Sequence, residues 1–332
     1  MPSSKFTVDS LPSLCGKTYV VTGGNAGIGY STVAGLAARG ARVYVGARSE
    51  VKTSEAITAI KAATPSADVR FLPLDLSSLV SVVAAARHLR RTETALHGLI
   101  NNAGIMGVPF STTEDGYEAN YIAHLLLTHH LLPLLQATGA ATAQMTRLVN
   151  VTSNGHERFV PPGGIAFDDL DLESRNAMIR YGQSKLANVL HAKELHRKYG
   201  PGASGAPGLA SARRPFIQAT STRRNTARHA RSINLNKQAT GAAPSLLLRA
   251  VTPVMRCVRI LDEQYKGALS SLFAIASDDF TTSDSGAYVI PYAVIGSPSI
   301  YAQDPALATK LWEWTEAQLS EMGLLQMDAV NH

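Results

Sequence analysis

Two polar side chains near the middle of the chain have the spacing that acid–base chemistry needs. Tyr181 and Lys185 are four residues apart, so on a helix they share one face. A phenol ordinarily titrates near pH 10, but a neighbouring cation lowers its pKa towards neutral pH. Ser153 precedes this pair by 28 residues and could donate a hydrogen bond to a substrate oxygen that gains negative charge. The pattern predicts a general acid–base site with Tyr181 as the proton-transfer group.

A glycine-rich turn near the start of the chain supports the interpretation of this pair as a reaction site. Such support is needed because a Tyr–Lys pair alone is common on helix surfaces. Residues 22–29 read TGGNAGIG, directly after an apolar strand and at the start of a helix. Glycines at such positions let the backbone approach a pyrophosphate, whose charge the helix N-terminus stabilises. The motif therefore predicts a dinucleotide site. The residues expected to contact the dinucleotide here are Gly23, Asn25, Gly27, Ile28 and Gly29.

The end of the second predicted strand indicates which nicotinamide dinucleotide fits. An NAD site usually carries a carboxylate there for the ribose hydroxyls, whereas a 2′-phosphate requires a cation. This chain has Arg48 at that point and Lys52 four residues later. No acidic residue lies between the end of this strand and Glu50. Arg48 could bind the phosphate bidentately, with Lys52 as a supporting charge, so NADP(H) is the expected cofactor. The alternative is that both cations only solvate the start of a helix.

Two further strand ends carry polar groups that suit the same ligand. Asp75 follows the third predicted strand and could accept a hydrogen bond from the adenine amino group, or cap the next helix together with Ser77 and Ser78. Asn102 follows the fourth strand within the sequence NNAG. Small residues and an amide there suit a bend against the cofactor's ribose.

The remaining pattern explains how these groups could meet. Short apolar segments alternate with helical ones, which predicts an α/β fold with a doubly wound parallel sheet of the Rossmann type. Ligands of such folds bind at the carboxyl ends of the strands, where all of these motifs lie. The expected strands are residues 18–22, 41–46, 69–74, 96–101, 147–152 and 287–291, and the expected helices are residues 28–39, 52–63, 77–91, 116–137, 181–199 and 305–322.

The order of TGGNAGIG, NNAG, Ser153 and YGQSK resembles the short-chain dehydrogenase/reductase family. The segments RLVNVTSNGH and YGQSKLANVLHAKEL are similar to its retinol-dehydrogenase-like branch, which includes fungal reductases of secondary metabolite biosynthesis. The resemblance implies that Tyr181 is the general acid/base and Ser153 polarises the carbonyl. It also implies that Lys185 holds the nicotinamide ribose and lowers the phenol pKa, and that Asn120 maintains a water relay from this lysine. His156, close to Ser153, is expected to be structural.

One segment departs from the family pattern. No acidic residue lies between Glu194 and Asp262, and this window holds twelve of the chain's 31 lysines and arginines. The excess of positive charge that gives the chain its net charge of +6 therefore lies within this window. Its composition is typical of a solvated linker, although clustered arginines could also bind an anionic surface. The family has a sixth strand ending in Pro-Gly at this place. We therefore expect residues 203–243 to replace that strand, through a genuine insertion or through an error such as a retained intron.

The resulting hypothesis is an NADP(H)-dependent oxidoreductase that interconverts a carbonyl and an alcohol on a hydrophobic small molecule. The alternatives are a catalytically impaired NADP(H)-binding protein that lacks the sixth strand, and a binder of anionic surfaces through the arginines. The family's subunit-pairing helices resemble residues 120–137 and 186–195, which predicts a homodimer. Two distant cysteines argue against disulfides and a thiolate zinc site, and no metal is expected.

The first 17 residues lack an apolar signal core, and no segment is long and apolar enough to span a membrane, which together predict a cytoplasmic protein without a nucleic-acid partner. We expect one domain. Its segments are an extension (1–16), the dinucleotide-binding and catalytic core (17–200), the Arg-rich insertion (201–243), a C-terminal part (244–325) and a tail (326–332).

Overall fold

The computed structural model describes residues 6–106, 119–142, 144–170, 172, 175–201, 203, 216–222 and 264–326, with residues 216–222 as backbone only. Eight strands form one sheet, in the order β3-β2-β1-β4-β5-β6-β7-β8. They are β1 Thr18–Thr22, β2 Arg42–Ala47, β3 Asp68–Pro73, β4 Gly98–Asn101, β5 Arg147–Ser153, β6 Phe216–Thr222, β7 Tyr288–Ile290 and β8 Val294–Gly296. All neighbouring strands are parallel except β7 and β8, which are antiparallel.

Helices cover both faces of this sheet. They are α1 Gly27–Ala38, α2 Glu50–Ala63, α3 Leu79–Thr92, α4 Ile122–Thr142, α5 Gly155–Arg158, α6 Ala177–Tyr199, α7 (residues 264–276) and α8 Pro305–Glu321, and 3-10 turns occupy Val8–Ser10, Thr282–Asp284 and Tyr301–Gln303. One buried apolar cluster combines residues of α3, α4, α6 and α8, and a second combines residues of α1, α2 and α7. The predicted doubly wound α/β fold is thereby confirmed.

The strands follow from their residue patterns. Every residue of β1, β4 and β5 is buried, as expected for parallel strands that have helices on both faces. In β3, which is an edge strand, only Val69 and Leu72 are buried. The sheet places the carboxyl ends of β1, β2, β3, β4 and β5 along one edge, and the predicted site residues lie there.

The prediction that the Arg-rich segment replaces the sixth strand is wrong for residues 216–222. These residues form β6, which pairs with β5 from Arg147↔Phe216 to Ser153↔Thr222 and also pairs with β7. A gap between β5 and β7 would leave backbone groups of both strands unpaired in the middle of the sheet. Only two apolar residues, Phe216 and Ile217, start this strand, so its sequence lacks the apolar run that would have indicated it. The rest of the segment from 204 to 243 lies outside the described residues.

The last helix covers a surface that the sequence assigned to a second subunit. In α8, the Thr315 hydroxyl lies 3.2 Å from that of Tyr121, and Thr309 donates to the carboxylate of Glu194. The ring of Trp312 lies 5.7 Å from that of His191, and Lys198 lies over the same indole. These contacts of α8 cover part of the faces from which the homodimer was predicted, and the homodimer stays a prediction. Within the described residues, no helix combines the length and the hydropathy that crossing a bilayer requires.

Candidate active site

The glycine-rich turn joins β1 to α1 and has the shape expected of a phosphate-binding turn. Gly23 and Gly27 have φ values of 63° and 59°, which favour glycine because other residues meet steric strain there. A Cβ on Gly29 would overlap the carbonyl oxygen of Gly23, so only glycine allows the turn to pack this closely. No side chain caps the start of α1, and its first N–H groups therefore face the turn without a side-chain acceptor. Asn25 and Ile28 lie in the same turn, partly exposed.

Asn102 braces this turn against the end of β4. Its side-chain amide donates to the carbonyl of Thr22 over 2.8 Å, and its backbone N–H donates to the Thr22 hydroxyl over 2.9 Å. The backbone N–H of Ala103 donates to the same hydroxyl over 2.9 Å. The amide predicted to face the ribose thus also holds the ends of β1 and β4 together, a contact that sequence reasoning did not anticipate.

The predicted adenosine end lies at the carboxyl ends of β2 and β3. Arg48 and Lys52 are exposed, and the cap of α2 is made by Ser49, whose hydroxyl accepts from the backbone of Lys52. Asp75 accepts from the N–H and the hydroxyl of Ser77 over 3.0 and 2.7 Å, which orders the turn before α3. Burial alone would raise the pKa of Asp75, but these hydrogen bonds and the charge of Arg48 outweigh burial and lower it. Arg48 and Asp75 therefore lie within electrostatic range of each other.

Ser153 and Tyr181 meet above Gly155. A Cβ on Gly155 would lie 3.0 Å from the Oγ of Ser153 and 3.1 Å from Cε1 of Tyr181, so both groups border one point. Gly182 brings α6 this close, because a Cβ there would overlap the carbonyl oxygen of Phe159, directly after α5. Sequence reasoning missed both glycines as site residues. Their only signal is that each adjoins a predicted catalytic motif.

Lys185 lies one turn after Tyr181 and is 4% exposed. Its Nζ donates to the carbonyl of Val151 over 3.1 Å and lies 5.8 Å from the centre of the Tyr181 ring. The hydroxyl of Thr152 donates to the backbone carbonyl of Lys185 over 2.7 Å, which fixes α6 against the end of β5. The ammonium thus lies near the ring of Tyr181, and the role of Lys185 in its chemistry stays a prediction.

Asn120 precedes α4 and is 2% exposed. Its side chain accepts from the N–H of Ile105 over 2.8 Å and donates to the carbonyl of Ile105 over 2.9 Å. It also donates to the hydroxyl of Ser184, over 3.1 Å. A Cβ on Gly104 would lie 3.1 Å from Nζ of Lys185 and 3.4 Å from Oδ1 of Asn120, so the asparagine and the lysine border the same space.

His156 was expected to be structural, and both of its ring nitrogens contact backbone groups. Its Nδ1 lies 2.6 Å from the carbonyl of Ser153, and its Nε2 accepts from the backbone N–H of Ser299 over 3.2 Å. Burial lowers the pKa of His156, so the ring is neutral at pH 7. It ties the strand end that carries Ser153 to the loop after β8.

This geometry suits proton transfer to or from a substrate oxygen. The hydroxyl of Ser153 and the ring of Tyr181 border one space, and the ammonium of Lys185 lies 5.8 Å from the centre of that ring. A separate cavity of about 30 Å³ is lined by Ile165, Gln183 and other residues of α4, α6 and α8, but not by Ser153 or Tyr181. It has room for about one water and is not the reaction site.

Comparison with known proteins identifies the family. A family model described as short chain dehydrogenase matches residues 17–163. The short-chain dehydrogenase/reductase drtF of Aspergillus calidoustus is 46% identical over 326 residues, which cover 95% of this chain and 98% of that protein. The chain belongs to the short-chain dehydrogenase/reductase family. The oxidoreductase class and the family resemblance predicted from the sequence are thereby confirmed.

Two further proteins are similar to the chain. Human retinol dehydrogenase 12 is 42% identical over 190 residues, which cover 56% of this chain and 57% of that protein. A crystal structure of a protein from Mycobacterium paratuberculosis superposes with a TM-score of 0.67 at 30% identity, covering 95% of this chain and 97% of that one. The first likeness is in line with the predicted retinol-dehydrogenase-like branch.

Proposed function

We propose that this protein is an NADP(H)-dependent oxidoreductase that interconverts a carbonyl and an alcohol on a hydrophobic small molecule. The observation that carries the proposal is the meeting of Ser153 and Tyr181 above Gly155, with the ammonium of Lys185 one turn away. A redox role fits this arrangement because the acid–base groups and the phosphate-binding turn lie at the same edge of the sheet.

The residues present fit a nicotinamide dinucleotide. The close approach of Gly29 to Gly23 forms the cradle for the pyrophosphate, and the uncapped start of α1 faces it. When bound, the dinucleotide supplies or takes up the hydride. On the reductive side, the hydroxyl of Ser153 donates a hydrogen bond to the carbonyl oxygen and the phenol of Tyr181 gives that oxygen a proton. In oxidation the phenolate takes the proton back, and Lys185 stabilises this charged form.

The preference for the 2′-phosphorylated dinucleotide rests on the adenosine end. Arg48 and Lys52 are exposed, Arg48 acts on the charge of Asp75, and no carboxylate stands between β2 and Glu50. A guanidinium binds phosphate bidentately, whereas a carboxylate at this place would repel the phosphate. One carboxylate oxygen of Asp75 accepts from Ser77, and the second can accept a hydrogen bond from the adenine amino group.

The substrate class is argued from the surface beside the reacting groups. Ile105, next to Asn120, is 45% exposed, and the segment after α5 presents Phe159 and Val160 in partly exposed positions. Apolar groups exposed beside a reaction site favour an apolar ligand. The alternative of an impaired protein rested on a missing sixth strand that ends in Pro-Gly; β6 fills the strand position, but Arg223 and Arg224 follow it in the sequence in place of Pro-Gly, so this alternative stays open.

Replacing the phenol tests the proposal. Tyr181→Phe should lower the rate of NADPH-dependent reduction of a panel of aldehydes, retinoids and ketones at least about 100-fold, which is the rate factor that one general acid–base group usually contributes. The Kd of NADPH should stay within about threefold of the wild-type value. Tyr199→Phe, at the other end of α6, is the matched control and should retain activity. Undiminished turnover in Tyr181→Phe would remove the assigned role.

A further inference from the structure

His124, on the first turn of α4, connects the phosphate-binding turn to the catalytic helix. We propose that His124 is a positioning residue, which holds the carbonyl of Asn120 in a fixed place relative to Thr22 and thereby couples cofactor binding to the proton-transfer groups. The kinetic part of the proposal rests on the proposed function. The hydrogen-bond pattern that carries it stands on the structure alone.

The first link is the hydrogen bond between Thr22 and His124, and the other contacts of the Thr22 hydroxyl determine its direction. A threonine hydroxyl has one hydrogen and two lone pairs. Both lone pairs are engaged, because the backbone N–H groups of Asn102 and Ala103 each donate to this oxygen over 2.9 Å. The one hydrogen must therefore be donated, and Nε2 of His124 lies 2.9 Å away. Nε2 of His124 is thus an acceptor and carries no proton.

The second link follows from the first. A neutral imidazole whose Nε2 accepts must carry its proton on Nδ1. Nδ1 lies 3.1 Å from the carbonyl oxygen of Asn120, to which it donates. Burial lowers the pKa of His124 to about 4, the hydrogen bond to Asn120 opposes this in part, and the charge of Lys185 adds to the lowering. The ring therefore stays in this single tautomer throughout the neutral range.

The third link leads to the catalytic helix. The side chain of Asn120 donates to the hydroxyl of Ser184, and this hydroxyl donates over 2.9 Å to the backbone carbonyl of Tyr181. A chain of hydrogen bonds thus runs from the end of β1 through His124 and Asn120 to α6. Hydrogen bonds in such a chain polarise one another, and a buried member that loses its partner is costly. An apolar side chain at position 124 would leave the hydroxyl of Thr22 and the carbonyl of Asn120 each short of one bond.

The two ring nitrogens can be tested separately. In His124→Asn the amide stands near the former Nδ1 and can still donate to Asn120, but it is too short to reach Thr22. In His124→Gln the amide stands near the former Nε2 and can still accept from Thr22. His124→Phe keeps the ring volume and has neither group. The matched control is His129→Gln on the same helix, because Nε2 of His129 lies 3.1 Å from the carbonyl of Leu325 and not near the site.

The proposal predicts that the two ring nitrogens affect different constants, one the Kd of NADPH and the other kcat. His124→Phe should raise the Kd of NADPH and lower kcat, each about tenfold, as loss of one buried hydrogen bond does. His124→Asn should restore most of kcat and leave the Kd raised, whereas His124→Gln should restore the Kd and leave kcat low. Thr22→Val removes this link and also the acceptor of the Asn102 and Ala103 N–H groups, so it should raise the Kd less in the His124→Phe background than in the wild type. Equal losses of thermal stability in all three variants, with Kd and kcat unchanged, would overturn the proposal.

A readout independent of activity separates this proposal from the proposed function. In protein with ¹⁵N-labelled histidine, long-range ¹H–¹⁵N spectra should show a ring with an unprotonated Nε2 and a protonated Nδ1 from pH 8 to pH 5. That signal should be absent in His124→Phe and shifted in Thr22→Val. A His124 ring that titrates near pH 6.5, or that has the opposite tautomer, would overturn the proposal even in an active enzyme. The expected tautomer in a protein that neither binds nor oxidises NADPH would instead refute the proposed function alone.

Discussion

Ser153 and Tyr181 belong to different elements, but the Oγ of one and the ring of the other border a single point above Gly155, at 3.0 and 3.1 Å. Their separation is set by how closely α6 packs on α5, which depends on Gly182. We predict that Gly182→Ala lowers kcat/KM about 100-fold or more, because its Cβ would overlap the carbonyl of Phe159 and force the two helices apart. Steady-state kinetics with NADPH measure this effect.

Gly35→Ala on α1 is the control for that variant. Its Cβ would lie 2.8 Å from Cδ1 of Leu272, the end of a flexible side chain that can move. We expect a modest loss of stability and unchanged kinetic constants. If both glycine variants lost activity to the same degree, the close approach of α5 and α6 would not be what positions the tyrosine.

The second prediction concerns cofactor choice. Arg48 is exposed at the end of β2, and its charge lowers the pKa of Asp75. Arg48→Glu should lower kcat/KM for NADPH relative to NADH by about 10- to 100-fold, because a carboxylate repels the 2′-phosphate and suits the ribose hydroxyls. Lys61→Glu, an exposed position near the other end of α2, makes the same change of charge as a control. An unaltered ratio in Arg48→Glu would show that the phosphate binds elsewhere.

The sequence predicted the elements whose patterns are local. The residues of β1 are those expected, and α1 differs from its predicted bounds by one residue at each end, because a buried apolar run and a glycine-rich turn define them. The positions of Ser153, Tyr181 and Lys185 at one edge followed from the order of strands in doubly wound folds. Their placement could therefore be predicted without coordinates.

What the sequence did not predict depends on distant partners. Strand β6 exists because β5 and β7 need a neighbour, although residues 216–222 have only two apolar side chains at their start. The docking of α8 depends on pairs such as Tyr121 with Thr315, which are 194 residues apart. The link through His124 could not be predicted either, because a lone histidine in an apolar helix carries no signal of its partners.

The third prediction tests the cover that α8 forms over α4 and α6. Trp312 is 5% exposed and contacts the ring of His191. Trp312→Ala should lower the free energy of unfolding by about 3 kcal/mol or more, as removal of a large buried side chain does, and expose an apolar surface that promotes self-association. Urea unfolding and light scattering measure the two effects. Glu313→Ala, an exposed neighbour, should change stability by no more than about 0.5 kcal/mol. An equal effect of both substitutions would show that α8 is not packed as described.

The fourth prediction is a loss of stability in mild acid. Burial lowers the pKa of His124 and His130 to about 4 and that of His191 to about 3, and neighbouring charges add to the effect. In the unfolded chain these rings titrate near pH 6.5, so between about pH 6.5 and pH 4 the unfolded state binds protons that the folded state does not. The free energy of unfolding should therefore be highest above pH 6.5 and fall as the pH decreases through this window. Each ring accounts for a slope of up to about 1.4 kcal/mol per pH unit.

His130 allows one of these contributions to be isolated. Its Nε2 donates to the carbonyl of Leu324 over 2.9 Å, and its buried Nδ1 has no hydrogen-bond partner in the described part of the chain. His130→Gln can keep the bond to Leu324 and cannot titrate. Urea unfolding at pH 8, 6 and 5 should thus show a smaller loss of stability in this variant than in the wild type, by up to about 1.4 kcal/mol per pH unit. His88→Gln, an exposed position on α3, is the control and should keep the wild-type slope. If His130→Gln kept that slope as well, protonation of the buried ring would not be what destabilises the fold.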